Sequence, residues 1–205
     1  MYAKKLNKNL AEAVFEAGFE EPLPTHKKAI SRIKSGTDFI CFSPEGSGKS
    51  SAIVLGVIQQ LECALNDVPR AIIMVPDKQH ALDLKEQFDV FGKNTDLRVF
   101  CTYNEFNIQK SKDEIYVGSD VVIGTAKRFS ELFSMNGLNL SDLKMFIIDD
   151  AELVIRDSAV PLVHRMSESV QACQHIIFSE HSTQLIDGFA EDYMKNYSVI
   201  EIEDI

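Results

Sequence analysis

Short apolar runs alternate along this chain with longer stretches in which apolar residues recur at helical spacing. The apolar runs predict strands at Phe39–Ser43, Ala71–Val75, Leu97–Cys101, Val121–Gly124, Met145–Asp149, His175–Ser179 and Val199–Ile202. The stretches between them predict helices at Lys8–Glu16, Thr25–Lys34, Lys49–Leu65, Lys78–Phe91, Ala126–Phe133, Ala159–Ala172 and Ser182–Lys195. The polar segment Thr102–Ser119 fits a further helix flanked by loops.

The strands are apolar at every position rather than at every second one, as in Ala71–Val75. Strands of this kind are buried on both faces, which favours a mainly parallel sheet with helices on both sides. The 205 residues contain no linker, repeat or low-complexity segment, so we expect one α/β domain over residues 1–205. Ligands of such sheets bind at the carboxyl ends of the strands.

Composition narrows the class of protein. No run approaches the roughly 18 apolar residues of a membrane helix, and the basic N-terminus is not followed by the apolar core of a signal peptide. The four cysteines are scattered without a Cys-x-x-Cys pair, which indicates reduced thiols and a cytoplasmic location. The net charge of −10 argues against a general polyanion-binding surface, so nucleic acid would need a local basic track.

The strongest chemical signal is Gly46-Ser47-Gly48-Lys49-Ser50, between a predicted strand and a predicted helix. The glycines let successive N–H groups point into one concavity, and the helix N-terminus adds its positive end. Lys49 would then reach the β- and γ-phosphates of a nucleotide, and the Ser50 hydroxyl would bind Mg²⁺. The alternative is a flexible Gly/Ser loop that binds nothing.

A second signal is the acidic end of the strand at Met145–Asp149. Asp149, Asp150 and Glu152 lie close together there, and a divalent metal with an activated water would offset the cost of grouping them. The alternative is a helix N-terminus, with an aspartate as the cap and Glu152 in the first turn. Together with the phosphate loop, the acids favour a nucleotide site.

The order and spacing of these and other motifs resemble the first RecA-like domain of the DEAD-box RNA helicases, over nearly the whole chain. The matching segments are Gly18–His26 with Ala29-Ile30 and Gly36-x-Asp38 (Q motif), Ser43–Ser50 (motif I), Pro76–Ala81 (motif Ia), Thr125–Arg128 (motif Ib), Asp149–Glu152 (the DEAD tetrad) and Ser179–His181 (motif III).

The resemblance implies a three-layer RecA-like P-loop NTPase domain that binds ATP with Mg²⁺ and contributes to single-stranded RNA binding in an ATP-dependent RNA helicase. It assigns nucleotide binding to Phe19, His26, Glu45, Gly46, Ser47, Gly48, Lys49, Ser50 and Ser51. It assigns catalysis to Lys49, Asp149 and Asp150, with Mg²⁺ held by Ser50 and Asp149 partly through water. It assigns coupling to Glu152, Ser179, Glu180 and His181, and RNA contacts to Lys78, Thr125 and Arg128.

Several residues depart from the family pattern. His26 stands where a glutamine reads adenine; its imidazole could meet the adenine edge, or it could cap or pack in its own helix. Phe19 could stack on the base or act as a hydrophobic staple before the proline-rich turn. Asp150 replaces a glutamate and is shorter by roughly 1.5 Å, and a misplacement of about 1 Å can lower a rate on the order of 10²-fold.

The acidic Glu180 in motif III would repel a triphosphate unless it is paired with His181 or a lysine. Lys78 and Arg128 could alternatively belong to a solvated helix face. The family's second RecA-like domain is absent from this sequence, so we expect a fragment that is nearly inactive alone. The alternatives are a degenerate nucleotide- or RNA-binding scaffold without unwinding activity and, third, an unrelated P-loop NTPase or kinase.

Overall fold

Seven parallel strands form the central sheet of this protein, for which a computed structural model describes residues 6–19, 21–156, 160–170 and 172–203. The strands are β1 (Phe39–Phe42), β2 (Ala71–Val75), β3 (Val99–Thr102), β4 (Val121–Thr125), β5 (Met145–Ile148), β6 (Gln174–Ser179) and β7 (Ser198–Glu201). Their order across the sheet is β3-β4-β2-β5-β6-β1-β7, and every paired strand is parallel to its neighbour.

The described residues form helices α1 (Lys8–Glu16), α2 (Pro24–Ser35), α3 (Lys49–Leu61), α4 (Lys78–Phe91), α5 (Ile108–Gly118), α6 (Ala126–Ser134), α7 (Ala151–Val154), α8 (Val160–Glu168) and α9 (Gln184–Tyr193). Among these residues, no helix combines the length and apolar character needed to cross a membrane.

Successive residues of the inner strands pack into opposite apolar layers. In β2, for example, Ile73 joins the layer beneath α1 to α4, whereas Ile72 joins the layer beneath α5 to α9. Both layers exclude water, which explains why the central strands β2, β4 and β5 lack charged residues and an alternating polar pattern, whereas the edge strand β7 keeps Ser198 and Glu201. The predicted three-layer α/β architecture is confirmed.

Element ends differ from prediction where tertiary contacts intervene. Helix α3 ends at Leu61 rather than Leu65, because the Arg70 guanidinium binds the carbonyl oxygens of Leu61 and Cys63. Strand β3 begins at Val99 rather than at residue 97, and the N–H of Arg98 donates to the Asp120 carboxylate instead. The short helix α7 matches the alternative interpretation of the acidic segment, with Asp150 at the N-cap position and Glu152 in the first turn.

The remaining boundaries lie close to the predicted ones. The helix expected within the polar segment 102–119 is present as α5. The last helix, predicted from Ser182 to Lys195, spans Gln184–Tyr193, since Thr183 caps its N-terminus. The helix predicted at 159–172 is observed as Val160–Glu168, and the predicted first residue, Ala159, lies outside the described residues.

Candidate nucleotide-binding site

The strand order brings three predicted motifs together at one edge of the sheet. Strands β5, β6 and β1 are neighbours, so the segments that follow them meet where the strands end. These segments and α4 enclose a cavity of about 980 Å³. It is lined by Phe19, Glu45, Gly46, Gly48, Lys49, Ser50, Ser51, His80, Asp83, Glu86, Gln87, Val90, Phe91, Asp150, Glu152, Leu153, Glu180 and His181.

The phosphate loop has the backbone that its glycines predict. Gly46 and Gly48 have φ angles of 75° and 87°, in the left-handed region that favours glycine. Gly48 is the N-cap of α3 and supplies no side chain to the first-turn N–H groups, which leaves them available for an anion. A Cβ on Gly48 would lie 2.9 Å from His26 Nε2, so the loop also needs glycine for close packing.

His26 is fully buried and joins α2 to the phosphate loop. Its Nδ1 accepts from the Leu23 N–H at 3.1 Å, and its Nε2 lies 2.7 Å from the Ser51 hydroxyl, whose Oγ lies 3.2 Å from the Gly48 carbonyl oxygen. This pattern requires the proton on Nε2, and burial lowers the pKa of His26, which keeps the ring neutral. The helix-capping alternative therefore describes this arrangement, and an adenine contact by His26 stays a prediction that would require a ring nitrogen to change partner.

An aromatic pair, Phe19 and Phe91, lines the end of the cavity away from Lys49. Phe19 is 42% exposed, and its ring meets that of Phe91 edge to face with centroids 5.1 Å apart. Gln87 lies one helical turn before Phe91 and also lines the cavity. An exposed aromatic face beside an amide suits a planar base. No local pattern in the sequence indicated Gln87.

Lys49 lies at the centre of the end of the cavity that charged side chains line. It is 8% exposed, and its Nζ lies 3.3 Å from the Ser43 carbonyl oxygen, 3.4 Å from Asp150 Oδ1 and 3.5 Å from Glu180 Oε1. Glu180 is therefore paired with a lysine, one of the two partners expected from the sequence. The predicted contact of this ammonium group with phosphate oxygens stays a prediction.

Asp149, the first acid of the tetrad, is buried, whereas the neighbouring Asp150 lines the cavity. Asp149 is 3% exposed, and the Asp150 N–H donates to its Oδ1 at 3.2 Å. Burial, followed by the charge of Asp150, raises the pKa of Asp149 to about 7. A nearby divalent cation would reverse this shift by favouring the carboxylate.

The donor set fits Mg²⁺ of the kind that is bound with a nucleotide. Magnesium at such sites takes one or two protein oxygens and completes its shell with phosphate and water. Asp149 and the Ser50 hydroxyl are such donors, at the ends of β5 and the phosphate loop. The described residues contain no cluster of three or more His, Cys, Asp or Glu side chains that could hold a metal by themselves.

The predicted coupling residues meet between α7 and the end of β6. The Ser179 Oγ lies 2.5 Å from Glu152 Oε2 and 2.7 Å from the His181 carbonyl oxygen. The Glu180 N–H donates to the same Glu152 oxygen at 3.4 Å. Hydrogen bonds therefore join the tetrad segment to the segment that follows β6, and the coupling role stays a prediction.

Sequence reasoning missed His80, which lies in the first turn of α4. Its Nδ1 is 2.8 Å from Asp77 Oδ1, and its Nε2 is 3.6 Å from Asp150 Oδ2. In the sequence, His80 was visible only as part of the segment Pro76–Ala81, which resembles motif Ia, and no role was assigned to it.

Two of the three residues assigned to RNA line a second cavity, of about 550 Å³, on the far side of Leu153. Lys78 and Thr125 line it; the Lys78 Nζ is 4.9 Å from the centroid of the Tyr103 ring, and the Thr125 hydroxyl donates to Asn104. Lys127 and Arg156 are exposed on the same wall. These two cations were not selected from the sequence.

Arg128, the third residue assigned to RNA, is buried and engaged within the protein. It is 3% exposed, and its guanidinium donates to the carbonyl oxygens of Tyr103, Asn104 and Phe106 and to Glu131. Every part of the fork is engaged within the protein, so a phosphate contact by Arg128 stays a prediction that would require the guanidinium to change partner.

A family model described as "DEAD/DEAH box helicase" matches residues 23–180, a range that contains the phosphate loop, the tetrad and the Ser179-Glu180 pair. The chain belongs to this family. It is 27% identical over 200 residues to the ATP-dependent RNA helicase DHH1 of Kluyveromyces lactis, covering 97% of this chain and 39% of that protein. It is 29% identical over 161 residues to DHH1 of Yarrowia lipolytica, covering 78% of this chain and 31% of that protein.

Solved structures show the same fold. A DEAD box protein from the hyperthermophile Methanococcus jannaschii superposes with a TM-score of 0.90 at 23% identity, over 97% of this chain and 54% of that one. A Saccharomyces cerevisiae Dbp5 variant, bound to Nup159, Gle1, IP6 and ADP, gives a TM-score of 0.84 at 19% identity, over 98% and 53%. The chain therefore spans well under two thirds of the proteins it matches.

Proposed function

We propose that this chain is the ATP-binding RecA-like domain of a DEAD-box-type ATP-dependent RNA helicase. The observation that carries the proposal is the position of Lys49, at the first turn of α3 and within 3.5 Å of acids from two other strands. A buried ammonium group between a glycine-rich loop and strand-end carboxylates is the arrangement that phosphoryl transfer uses.

In this proposal ATP lies along the first cavity, with its base towards Phe19 and its phosphates against the loop at Gly46–Ser51. Lys49 would bind the β- and γ-phosphates, and Mg²⁺, held by Ser50 and Asp149, would neutralise their charge. Asp150 would accept the proton of the attacking water.

The second cavity would hold single-stranded RNA through its phosphates. Lys78 and Thr125 are retained from the sequence-based assignment, and Lys127 and Arg156 add exposed positive charge. Phosphate contacts of this kind position a strand without reading its sequence. Lys78, Lys127 and Arg156 also form the local basic track that a chain with a net charge of −10 would need in order to bind RNA.

Relatives named ATP-dependent RNA helicases support the enzyme class, and all of them are longer than this chain. A full cycle would require the second RecA-like domain, and this chain alone would turn over ATP very slowly. We also propose a cytoplasmic location.

A second candidate is a nucleotide-binding scaffold that does not unwind RNA. Asp150 and Glu180 favour it, because both carboxylates already neutralise Lys49 and one of them would have to be displaced by the γ-phosphate.

Nucleotide binding tests the proposal directly. Fluorescent ATP titrated into the chain with Mg²⁺ should bind, and Lys49→Ala should weaken binding by at least tenfold. Lys85→Ala is the matched control, since Lys85 pairs with Asp89 outside the cavity. Equal affinity in the Lys49 and Lys85 variants would refute the proposed site. RNA-stimulated hydrolysis would then separate the helicase from the scaffold.

A further inference from the structure

Three side chains form a line from the first turn of α4 into the nucleotide cavity. Asp77 caps α4, and its Oδ1 accepts from the His80 N–H at 3.0 Å and lies 2.8 Å from His80 Nδ1. The other ring nitrogen, Nε2, lies 3.6 Å from Asp150 Oδ2. The line forms because β2, which leads into α4, is hydrogen-bonded to β5, which leads into Asp150.

Asp77 determines which way the imidazole faces. A carboxylate acceptor requires hydrogen on Nδ1, so Nε2 points into the cavity. Burial lowers the pKa of His80, but Asp77, and then Asp150 and Asp149, raise it overall. His80 therefore carries a proton on Nε2 more readily than a free histidine and can then donate towards Asp150.

Asp150 is held from two sides. Lys49 is 3.4 Å from Oδ1, and His80 is 3.6 Å from Oδ2. When phosphate engages Lys49, the His80 ring stays beside the carboxylate. Asp150 is the N-cap residue of α7, but its side chain makes no capping hydrogen bond there, so its carboxylate is available to Lys49 and His80.

We propose that His80, oriented by Asp77, is a positioning residue that holds the Asp150 carboxylate where it can accept the proton of the attacking water. In the step it serves, the water oxygen bonds to the γ-phosphorus while the bond to the bridging oxygen breaks. ADP leaves with that electron pair, and the proton of the water passes to Asp150. The inference rests on the proposed function, because it concerns hydrolysis at the same site.

Single-turnover hydrolysis, with the chain in excess over ATP, tests this role. We expect His80→Ala to lower the rate on the order of tenfold and to leave the affinity for a non-hydrolysable ATP analogue within twofold. Asp77→Ser keeps a helix cap but cannot reach the ring, so it should lower the rate in the same direction. Gln79→Ala, on the exposed neighbouring position, is the control and should change neither quantity.

A double-mutant cycle separates positioning from a general structural effect. His80→Ala should have no further effect on the rate when Asp150 is already alanine. Without nucleotide, ¹⁵N NMR should show His80 with hydrogen on Nδ1, and Asp150→Ala should lower its measured pKa because a facing negative charge is lost.

Three outcomes would overturn the inference. They are an unchanged hydrolysis rate in His80→Ala, additive losses of rate in the double variant, and a His80 pKa that is the same in Asp150→Ala as in the unmodified chain. Binding of the analogue with no turnover above that of Lys49→Ala would also overturn it, while leaving nucleotide binding intact. Absence of analogue binding in the unmodified chain would instead refute the proposed function itself.

Discussion

Replacing Asp120 with alanine should destabilise the domain far from its nucleotide cavity. Asp120 is fully buried, and its Oδ1 accepts from Arg70 Nη2 at 2.8 Å and from the Leu65 N–H at 3.0 Å. Its Oδ2 accepts from Arg98 Nε at 2.9 Å and from the Arg98 N–H at 3.0 Å. One carboxylate thus joins two arginines to the turn after α3.

The size of the loss follows from what Asp120→Ala leaves behind. The Arg70 side chain is 7% exposed and would keep a buried charge without its carboxylate, a change that costs about 3–5 kcal/mol. Arg98 is 34% exposed, so water would replace part of its lost contact. We expect about 4 kcal/mol out of a total stability of roughly 5–15 kcal/mol.

Urea unfolding followed by circular dichroism measures the effect, with an expected midpoint shift of about 2 M at a slope of about 2 kcal/mol per M. Asp67→Ala is the matched control, because Asp67 pairs with the same Arg98 at 2.8 Å but is 73% exposed. It should cost less than about 1 kcal/mol. Equal shifts in the two variants would refute the assignment of stability to burial of the pair.

The same cluster predicts a pH dependence. Burial acts to raise the pKa of Asp120, but hydrogen bonds from Arg98, Leu65 and Arg70 lower it overall. A carboxyl with a lowered folded-state pKa stabilises the protein above its unfolded pKa of about 3.9 and loses that contribution as pH falls through the folded value. The stability gap between the unmodified chain and Asp120→Ala should therefore close in acid.

Three further outcomes are expected. Gly48→Ala should lower both the melting temperature and ATP affinity, because φ is 87° and the new Cβ would lie 2.9 Å from His26 Nε2; unchanged values in calorimetry and nucleotide titration would contradict this. Glu180→Ala should raise ATP affinity several-fold, since it removes a carboxylate 3.5 Å from the Lys49 ammonium; weaker binding would show that Glu180 assists instead. Lys127→Ala should weaken RNA binding and reduce the slope of log affinity against log salt by about one phosphate contact, as measured by fluorescence anisotropy; an unchanged slope would remove Lys127 from the interface.

The features that sequence predicted well are those whose cause is local. Apolar runs indicate buried strands because every position of such a strand contacts core. The phosphate loop is equally local, since Gly46, Gly48 and Lys49 are neighbours in the chain and their conformation follows from glycine's freedom at positive φ. The family resemblance came from several such local segments in order.

The partners of side chains were not predictable in this way. His26 was a candidate for adenine and Arg128 for RNA, and both are buried with their polar atoms engaged inside the protein. His80 gave no signal, although it lies between Asp77 and the tetrad. A side chain's role depends on which groups compete for it, and those groups come from distant segments.

By itself, then, the sequence determined the layered α/β architecture, the phosphate loop and the edge of the sheet where chemistry would occur. Only the tertiary structure decided that Lys49 is shared between Asp150 and Glu180 and that Asp150 meets His80. The physical reason is the strand order, because placing β6 between β5 and β1 and β2 beside β5 brings together side chains that no local pattern connects.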